Sequence, residues 1–207
     1  MSTLALVSAL KDHSEDFEFY PTTNEMLSAV RKDIQAILSD PLSDKYPIFS
    51  ALDVGAGDGR ALMRLTDGDR YAIEKSLMLV ERQDRSIVTV GTDLFAQVLL
   101  DLRCDVIFSN PPYSHFGAWS EKIVREANAK LIYLIIPVRW QNDKSLQSAI
   151  ESRKAETEVL AQFSFDTPDA DRRARTVVDV VRIRLDKHSH NRGRSYRSNE
   201  LRVDPFD

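Results

Sequence analysis

From residue 51 onward, short apolar runs alternate with stretches in which apolar residues recur at helical spacing. This alternation is typical of a parallel sheet whose strands are joined by crossover helices. The apolar runs predict strands at residues 51–55, 71–74, 87–91, 105–109 and 130–136. The stretches after them predict helices at residues 59–65, 77–82, 95–102, 119–127 and 144–154. The runs are apolar almost throughout, which indicates strands that are buried on both faces.

Beyond the last of these helices, the pattern changes to two β-type runs. They lie at residues 158–165 and 176–185 and are joined by a polar stretch at residues 166–175. In the second run, charged residues such as Asp179 and Arg182 stand among the apolar ones, so one face or edge is expected to contact water. A hairpin is the simplest connection between two such runs. We therefore predict an antiparallel hairpin at the end of the sheet.

One more helix is predicted before the first strand, at residues 22–38. Apolar residues such as Met26 and Val30 recur there at helical spacing. Thr22 and Glu25 are placed as a capping box at the start of this segment. We expect the helix to pack on the sheet.

Length and composition fit one α/β domain. The 207 residues, of which 43% are apolar and 29% charged, suit a globular protein with a single core. We predict one domain at residues 1–186, with a helical segment at residues 1–45 packed on it, and a basic tail at residues 187–207. No apolar run approaches the ~20 residues of a membrane helix. Acidic residues follow the short apolar stretch at the N-terminus, unlike a secretory signal, so a cytoplasmic protein without membrane contact is expected.

The charge balance limits how the protein can contact nucleic acid. A net charge of −4 argues against binding over the whole surface, because such binding relies on Lys and Arg facing phosphates. Any basic face must be local, and the predicted tail is one candidate, with a solvated end as the alternative. Cys104 is the only cysteine, which excludes an internal disulfide and a cysteine zinc cluster. No metal site is predicted.

A glycine-rich turn follows the first predicted strand, with the sequence Asp53-Val54-Gly55-Ala56-Gly57-Asp58-Gly59. Glycines are needed where a tight turn must let a ligand come within contact distance of the backbone. Glu74 closes the next predicted strand, about 20 residues on, where a carboxylate can accept hydrogen bonds from both hydroxyls of a ribose. Together the turn and the acid predict a nucleoside-containing ligand.

Asp93 follows the third predicted strand, in Gly91-Thr92-Asp93-Leu94. Open α/β sheets bind ligands at the carboxyl ends of their strands, so Asp93 is a candidate to hold the exocyclic amine of an adenine. Asp is also a favoured helix N-cap. Both interpretations of Asp93 stay open at this point.

The most specific motif is Ser109-Asn110-Pro111-Pro112-Tyr113, directly after the fourth predicted strand. Two successive prolines fix the backbone and remove two amide donors, which leaves carbonyl groups free to accept hydrogen bonds. Asn110 adds a side-chain oxygen, and Tyr113 adds a flat aromatic face. The motif therefore predicts a site for an NH2 group on a planar substrate.

These residues resemble those of the amino-methylating class I methyltransferases, a family that includes DNA adenine and protein-glutamine methyltransferases. The resemblance covers roughly residues 19–185. It implies a Rossmann-like α/β fold with a mostly parallel sheet and a C-terminal antiparallel hairpin, and S-adenosylmethionine as the cofactor. The segment Phe19-Tyr20-Pro21-Thr22-Thr23 also resembles the short aromatic, threonine and proline motif that the DNA enzymes place before the glycine loop. This order of motifs favours the DNA adenine type.

The resemblance also implies a role for each motif. In that family the glycine loop holds the methionine part of the cofactor, the acids matching Glu74 and Asp93 hold the ribose and the adenine, and the Asn-Pro-Pro-Tyr loop binds the target amine. The implied cofactor-binding residues are Tyr20, Pro21, Thr22, Asp53, Gly55, Gly57, Glu74, Asp93, Leu94 and Asn110. The implied catalytic residues are Asn110, Pro111, Pro112 and Tyr113.

The expected activity is methyl transfer to the N6 amino group of adenine in DNA. An adenine in RNA and the amide of a protein glutamine are alternatives, because each presents an NH2 group to the same loop. No target-recognition segment is evident after the hairpin, so specificity is expected to be low or to come from a protein partner. A non-catalytic protein that keeps the fold and binds nucleic acid through Arg172, Arg173, Arg175 and the basic tail is the alternative from another class. The intact Asn-Pro-Pro-Tyr loop and Glu74 count against it.

Overall fold

The computed structural model describes residues 3–40, 42, 45–167 and 170–185. Its strands are β1 (Ala51–Val54), β2 (Arg70–Ile73), β3 (Ile87–Gly91), β4 (Val106–Ser109), β5 (Leu131–Pro137), β6 (Glu156–Ser164) and β7 (Val177–Arg184). They form one seven-stranded sheet in the order β3-β2-β1-β4-β5-β7-β6. The first five strands pair in parallel, whereas β7 pairs antiparallel with both β5 and β6. The predicted mostly parallel sheet with a C-terminal antiparallel hairpin is confirmed.

Helices cover both faces of this sheet. They are α1 (Thr3–Asp12), α2 (Asn24–Leu38), α3 (Arg60–Leu65), α4 (Leu77–Val80), α5 (Phe116–Glu126) and α6 (Lys144–Ser152), with 3-10 turns at Leu94–Ala96, Leu99–Asp101 and Val138–Asn142. In the described residues, α2 is the longest helix with 15 residues, and no helix there combines the length and apolar character that a membrane crossing requires. The predicted basic tail at residues 187–207 lies outside the described residues.

Successive residues of the central strands enter two different cores. Val106 and Phe108 on β4 pack in the cluster that contains α2 and α3, and Ile107 between them packs in the cluster that contains α5 and α6. All three side chains are at most 1% exposed. Because both faces of the sheet are covered, a buried strand needs apolar residues at every position, which explains the continuous apolar runs of the sequence.

The helix predicted at residues 95–102 was wrong. Two 3-10 turns form instead, separated by extended backbone at Gln97 and Val98. Leu94 and Leu99 are both buried in the same core cluster, at 1% and 0% exposure. On a continuous α-helix these two side chains would point about 140° apart. The extended break lets both of them enter the core.

The start predicted for the first long helix was also wrong. Its N-cap is Thr23, whose hydroxyl accepts a hydrogen bond from the Met26 amide, and the hydroxyl of Thr22 binds elsewhere, as described below. Before this helix, α1 buries Leu6 and Leu10 against Leu79 of α4. The segment between α1 and α2 is thereby held near the carboxyl ends of the strands.

Candidate cofactor and amine-binding site

A cavity of about 430 Å³ lies at the carboxyl ends of β1, β2 and β4. Pockets that bind small molecules in proteins usually have volumes of about 300–1,000 Å³. The ten residues predicted to bind the cofactor all line this cavity: Tyr20, Pro21, Thr22, Asp53, Gly55, Gly57, Glu74, Asp93, Leu94 and Asn110. The structure therefore brings together residues from five separate segments of the chain.

The glycine loop after β1 forms the floor of the cavity in a conformation that suits glycine. Gly55 and Gly57 have φ angles of 80° and 56°, in the left-handed region that side chains rarely adopt. A Cβ atom on Gly57 would lie 2.5 Å from Cε2 of Phe19, and one on Gly55 would lie 3.1 Å from Cζ3 of Trp119. Aromatic rings thus pack directly on the backbone of the loop, and only glycine leaves room for them.

Glu74 connects the glycine loop to the end of β2. One carboxylate oxygen accepts a hydrogen bond from the Gly57 amide at 2.7 Å, and the other accepts one from the Ser76 amide at 2.8 Å. The side chain is 7% exposed, and burial raises the pKa of Glu74 above its ordinary value. Each oxygen keeps a second lone pair, so the carboxylate can still accept hydrogen bonds from a ligand.

Asp53 places a second carboxyl group in the wall of the cavity. It is 2% exposed, and Oδ1 has no hydrogen-bond partner among the described residues. Burial, followed by the charges of Glu74 and Asp58, raises the pKa of Asp53 well above its ordinary value. A buried carboxyl group with an unpartnered oxygen is a favourable neighbour for a cation.

Asp93 has one of its two predicted roles, that of a helix N-cap, and its location is compatible with the other role, binding a ligand. Asp93 is the N-cap of the first 3-10 turn, where Oδ1 accepts a hydrogen bond from the Phe95 amide at 2.8 Å. Its side chain also lines the cavity, and its second oxygen can accept from a ligand. Phe95 and Trp119 line the same region in an edge-to-face arrangement, with ring centroids 6.5 Å apart. Capping and ligand binding therefore do not exclude each other.

The amide of Asn110 is fixed in one orientation by the segment before α2. Nδ2 donates to the Tyr20 carbonyl at 2.8 Å and to the Thr22 hydroxyl at 3.2 Å. Because both donors point to that segment, Oδ1 is left as the acceptor of this side chain. Asn110 lines the cavity together with Pro112. The orientation required to accept hydrogen bonds from an amine is already present.

The structure does not bring Pro111 and Tyr113 to the cavity as predicted. Pro111 is buried, and neither residue lines the cavity. The Tyr113 ring stacks on Tyr20, with centroids 5.9 Å apart and planes 17° apart, and meets Phe165 edge-on at 5.8 Å. Its hydroxyl donates to Oδ1 of Asn110 at 3.3 Å. The ring is held beside Asn110 because Phe165, at the end of the hairpin strand β6, supplies an apolar partner for it.

Comparison with solved structures identifies the fold. A chain of the Mtq2–Trm112 complex of E. cuniculi, a complex described as responsible for methylating the translation termination factor eRF1, superimposes with a TM-score of 0.56 at 15% identity, over 81% of this chain and 99% of that chain. The 23S rRNA methyltransferase ErmE superimposes with a TM-score of 0.59 at 12% identity, over 82% of this chain and 70% of that chain. The human methyltransferase 10 domain containing protein superimposes with a TM-score of 0.56 at 13% identity, over 87% of this chain and 93% of that chain. The chain has the class I methyltransferase fold. No protein-family model and no curated protein sequence matches it.

Two residues at the site of this methyltransferase fold carry no sequence motif that marks them. Phe165 is 0% exposed and packs on both Tyr20 and Tyr113. Asp16 lines the cavity and binds Arg172, a residue 156 positions away in the chain. Both residues reach the site through contacts between distant segments, which a local pattern cannot predict.

Proposed function

We propose that this protein transfers a methyl group from S-adenosylmethionine to the N6 amino group of adenine in DNA. The observation that carries the proposal is the orientation of the Asn110 amide. Nδ2 is bound to Tyr20 and Thr22, so Oδ1 is the acceptor of a side chain that lines a cavity with acidic side chains at three strand ends. An acceptor fixed beside a cofactor-sized cavity is the arrangement that activation of an amine requires.

The residues of the cavity fit S-adenosylmethionine. The unpartnered oxygen of Asp53 is a partner for the ammonium group of its methionine part, which the glycine loop would hold. Glu74 can accept hydrogen bonds from the ribose hydroxyls, and Asp93 from the exocyclic amine of the adenine. Phe95 and Leu94 contribute apolar surface for the adenine ring. The acidic character of the cavity also suits a cofactor that carries positive charge.

The mechanism asks the protein for positioning and for electrostatic activation of the amine. When bound, the cofactor supplies a sulfonium methyl group that is already activated for transfer. Oδ1 of Asn110 accepts a hydrogen bond from the target amine and so raises the electron density on its nitrogen. Oδ1 has two lone pairs, so one remains for the amine while the Tyr113 hydroxyl occupies the other. The proton of the amine leaves to water.

Charge near the Asn-Pro-Pro-Tyr loop supports a substrate that carries phosphate. The exposed Arg139 donates to the Tyr113 carbonyl at 3.0 Å, and its guanidinium lies 5.0 Å from the centroid of the Phe116 ring. Arg175 is exposed in the same connection as Phe165. The positive charge of Arg139 beside this loop, together with that of Arg175, supports contact with a nucleic-acid backbone. In a duplex the adenine must leave the base stack, which costs a few kcal/mol that the hydrogen bonds to the amine help to offset.

Methylation of a protein glutamine is the second candidate, and the packing of Tyr113 is the observation that supports it. A carboxamide needs the Asn110 acceptor but no free aromatic face, and the Tyr113 ring is packed between Tyr20 and Phe165. The similar chain from the Mtq2–Trm112 complex belongs to an assembly described as responsible for methylating a protein, the termination factor eRF1. A protein partner that supplies specificity to this chain remains part of the proposal.

Methyl transfer to three kinds of acceptor tests the proposed function. Radiolabelled S-adenosylmethionine is incubated with DNA that lacks methylated adenine, with total RNA and with lysate protein. We expect label in DNA, recovered as N6-methyladenine after digestion to nucleosides. Label in RNA or in glutamine instead would replace DNA by that alternative. If calorimetry detects no binding of S-adenosylmethionine, the protein is better described as a non-catalytic binding protein.

Replacing Glu74 by Ala is expected to weaken binding of S-adenosylmethionine by roughly 1–3 kcal/mol, because the ribose hydroxyls of the cofactor and the Gly57 amide lose their acceptor. Calorimetry measures this change directly. Glu74→Gln is the matched control, since it keeps one acceptor oxygen and should lose less affinity. An Ala variant with the affinity of the parent protein would mean that the ribose lies elsewhere.

Cofactor affinity is expected to rise with pH because Asp53 must be ionised to bind a cation. The pKa of Asp53 is raised well above its ordinary value of 3.8, so the free protein keeps this group protonated over part of the acidic range. A bound ammonium stabilises the carboxylate and lowers its pKa, so binding releases a proton and becomes tighter as pH rises through the raised pKa. Calorimetry from about pH 5 to about pH 7 measures the trend. Asp53→Asn should remove most of this pH dependence. An unchanged pH dependence in that variant would contradict the proposed binding of the ammonium group by Asp53.

A further inference from the structure

One wall of the cavity is a segment without regular secondary structure. We name residues 15–20, between α1 and α2, the strap. Its residues 16–20 line the cavity, and Phe19 lies against the glycine loop. A segment that belongs to no helix or strand has no ladder of backbone hydrogen bonds to hold it, so side-chain contacts must fix its position.

Three acidic side chains attach the strap to the rest of the protein. Glu15 accepts from the Ser76 hydroxyl at 2.6 Å and from the Met78 amide at 3.1 Å. Glu18 accepts from the amide and the hydroxyl of Ser114. Asp16 binds the guanidinium of Arg172. The third attachment is the one that crosses from the β6–β7 connection to the strap.

Arg172 contacts the strap in three ways. Its terminal guanidinium nitrogens, Nη1 and Nη2, donate to the two carboxylate oxygens of Asp16 at 2.7 and 3.0 Å. Nη1 also donates to the Phe19 carbonyl at 2.8 Å, and the guanidinium lies 4.1 Å from the centroid of the Tyr20 ring. The side chains of Arg172 and Asp16 are only 16% and 12% exposed. A bidentate pair shielded from water in this way is stronger than an ordinary surface ion pair.

The contacts continue from Tyr20 to the amine-binding residue. The Tyr20 carbonyl accepts from Nδ2 of Asn110 at 2.8 Å, and this hydrogen bond fixes the orientation in which Oδ1 is the acceptor of the side chain. The connection that carries Arg172 is itself anchored, because the neighbouring Asp171 binds Arg60 and Thr3. A displacement of Arg172 therefore loosens both the wall of the cofactor cavity and the orientation of Asn110.

We propose that Arg172 is a positioning residue that holds the strap closed over S-adenosylmethionine and, through Tyr20, keeps the Asn110 amide in its productive orientation. This inference rests on the proposed function. The other role considered for Arg172, a contact to nucleic-acid phosphate, needs a free guanidinium, whereas both of its terminal nitrogens are bound within the protein. Arg173, the next residue, is exposed and forms none of these contacts. It is the matched control.

The first test observes the strap without any cofactor. Chymotrypsin cleaves after aromatic residues, and Phe17 and Phe19 lie in the strap. Arg172→Gln is expected to be cut there roughly tenfold faster than the parent protein, because cleavage follows the population of the open segment. Arg173→Gln is expected to be cut at the parent rate. Equal cleavage of the parent protein and of Arg172→Gln would overturn this positioning role of Arg172, which we call the clamp, whether or not the protein is a methyltransferase.

The second test measures the cofactor. In calorimetry, Arg172→Gln should bind S-adenosylmethionine about tenfold to hundredfold more weakly than the parent, as expected for the loss of a charge-assisted pair. Asp16→Asn should lose a similar factor in affinity. The double variant should lose less than the product of the two single-variant factors, because it leaves neither a guanidinium nor a carboxylate without its partner. Arg172→Lys keeps the charge without the planar fork and should fall between. It also serves as the test variant if Arg172→Gln does not give the melting transition of the parent.

The outcomes separate the two proposals. If the parent protein does not bind S-adenosylmethionine, the proposed function fails and the cleavage test alone decides the clamp. If the parent binds and Arg172→Gln binds equally well, the clamp fails and the proposed function stands. A variant that keeps cofactor affinity but requires a higher concentration of DNA would assign Arg172 to the substrate and overturn the clamp.

Discussion

Replacing Asn110 by Ala is expected to lower the rate of methyl transfer by about a hundredfold to a thousandfold, the range found when one fixed polar contact to a transition state is removed. The interaction with the amine strengthens as the transition state forms, so its loss acts mainly on the chemical step. The hydrogen bonds to Tyr20 and Thr22 are lost as well, which loosens the strap and lowers cofactor affinity by a smaller factor. Single-turnover kinetics and calorimetry on the same preparation measure the two effects separately.

Asn110→Asp is the matched control for this prediction. It keeps the acceptor oxygen and the size of the side chain but removes the Nδ2 donor that binds Tyr20 and Thr22. It should therefore transfer methyl groups faster than Asn110→Ala. Transfer at the parent rate by Asn110→Ala would show that the amine is activated by another group. Loss of the melting transition would instead give Asn110 a structural role.

Gly57→Ala is expected to reduce affinity for S-adenosylmethionine by tenfold or more, through about 1–3 kcal/mol of backbone strain and a steric clash. The φ angle of Gly57 is 56°, and a Cβ atom would lie 2.5 Å from Cε2 of Phe19. The Phe19 ring must then move, and it lines the cavity. Calorimetry gives the affinity, and thermal melting gives the cost to stability.

The double variant Gly57→Ala with Phe19→Leu separates the clash from the strain. A smaller side chain at position 19 relieves the contact but leaves the φ angle unchanged, so part of the lost affinity should return. If Gly57→Ala binds the cofactor as the parent does, the glycine loop does not approach the cofactor closely and its assigned role is wrong.

Most residues that line the cavity were predictable because strand ends are encoded locally. Asp53 lies near the carboxyl end of β1, and Glu74 and Asn110 directly follow β2 and β4. Parallel strands bring their carboxyl ends to one edge of the sheet. Once the sequence indicates parallel strands, residues far apart in the chain are expected to meet there. Seven of the ten predicted residues, those between residues 53 and 110, reach the cavity by this rule, whereas Tyr20, Pro21 and Thr22 were predicted from the family resemblance.

The surroundings of Tyr113 were not predictable in the same way. Its ring packs on Phe165, and the strap contacts Arg172; both of these residues lie in the connection between β6 and β7. These contacts join segments that no periodicity relates to one another. The broken helix after β3 has a similar origin, because the burial of Leu94 and Leu99 in one core overrides the local helical spacing.

The insertion of β7 between β5 and β6 has a consequence for how the protein matures during synthesis. A nascent chain that ends before residue 177 has β1–β5 in its sequence but lacks the strand that joins β6 to them. The connection that carries Phe165 and Arg172 then has no fixed position, although the N-terminal segment it contacts was made first. Contacts across about 150 residues form late, since closing so long a loop is entropically costly. If Arg172 holds the strap as proposed, full affinity for S-adenosylmethionine is therefore expected only after β7 has been made and has paired with β5.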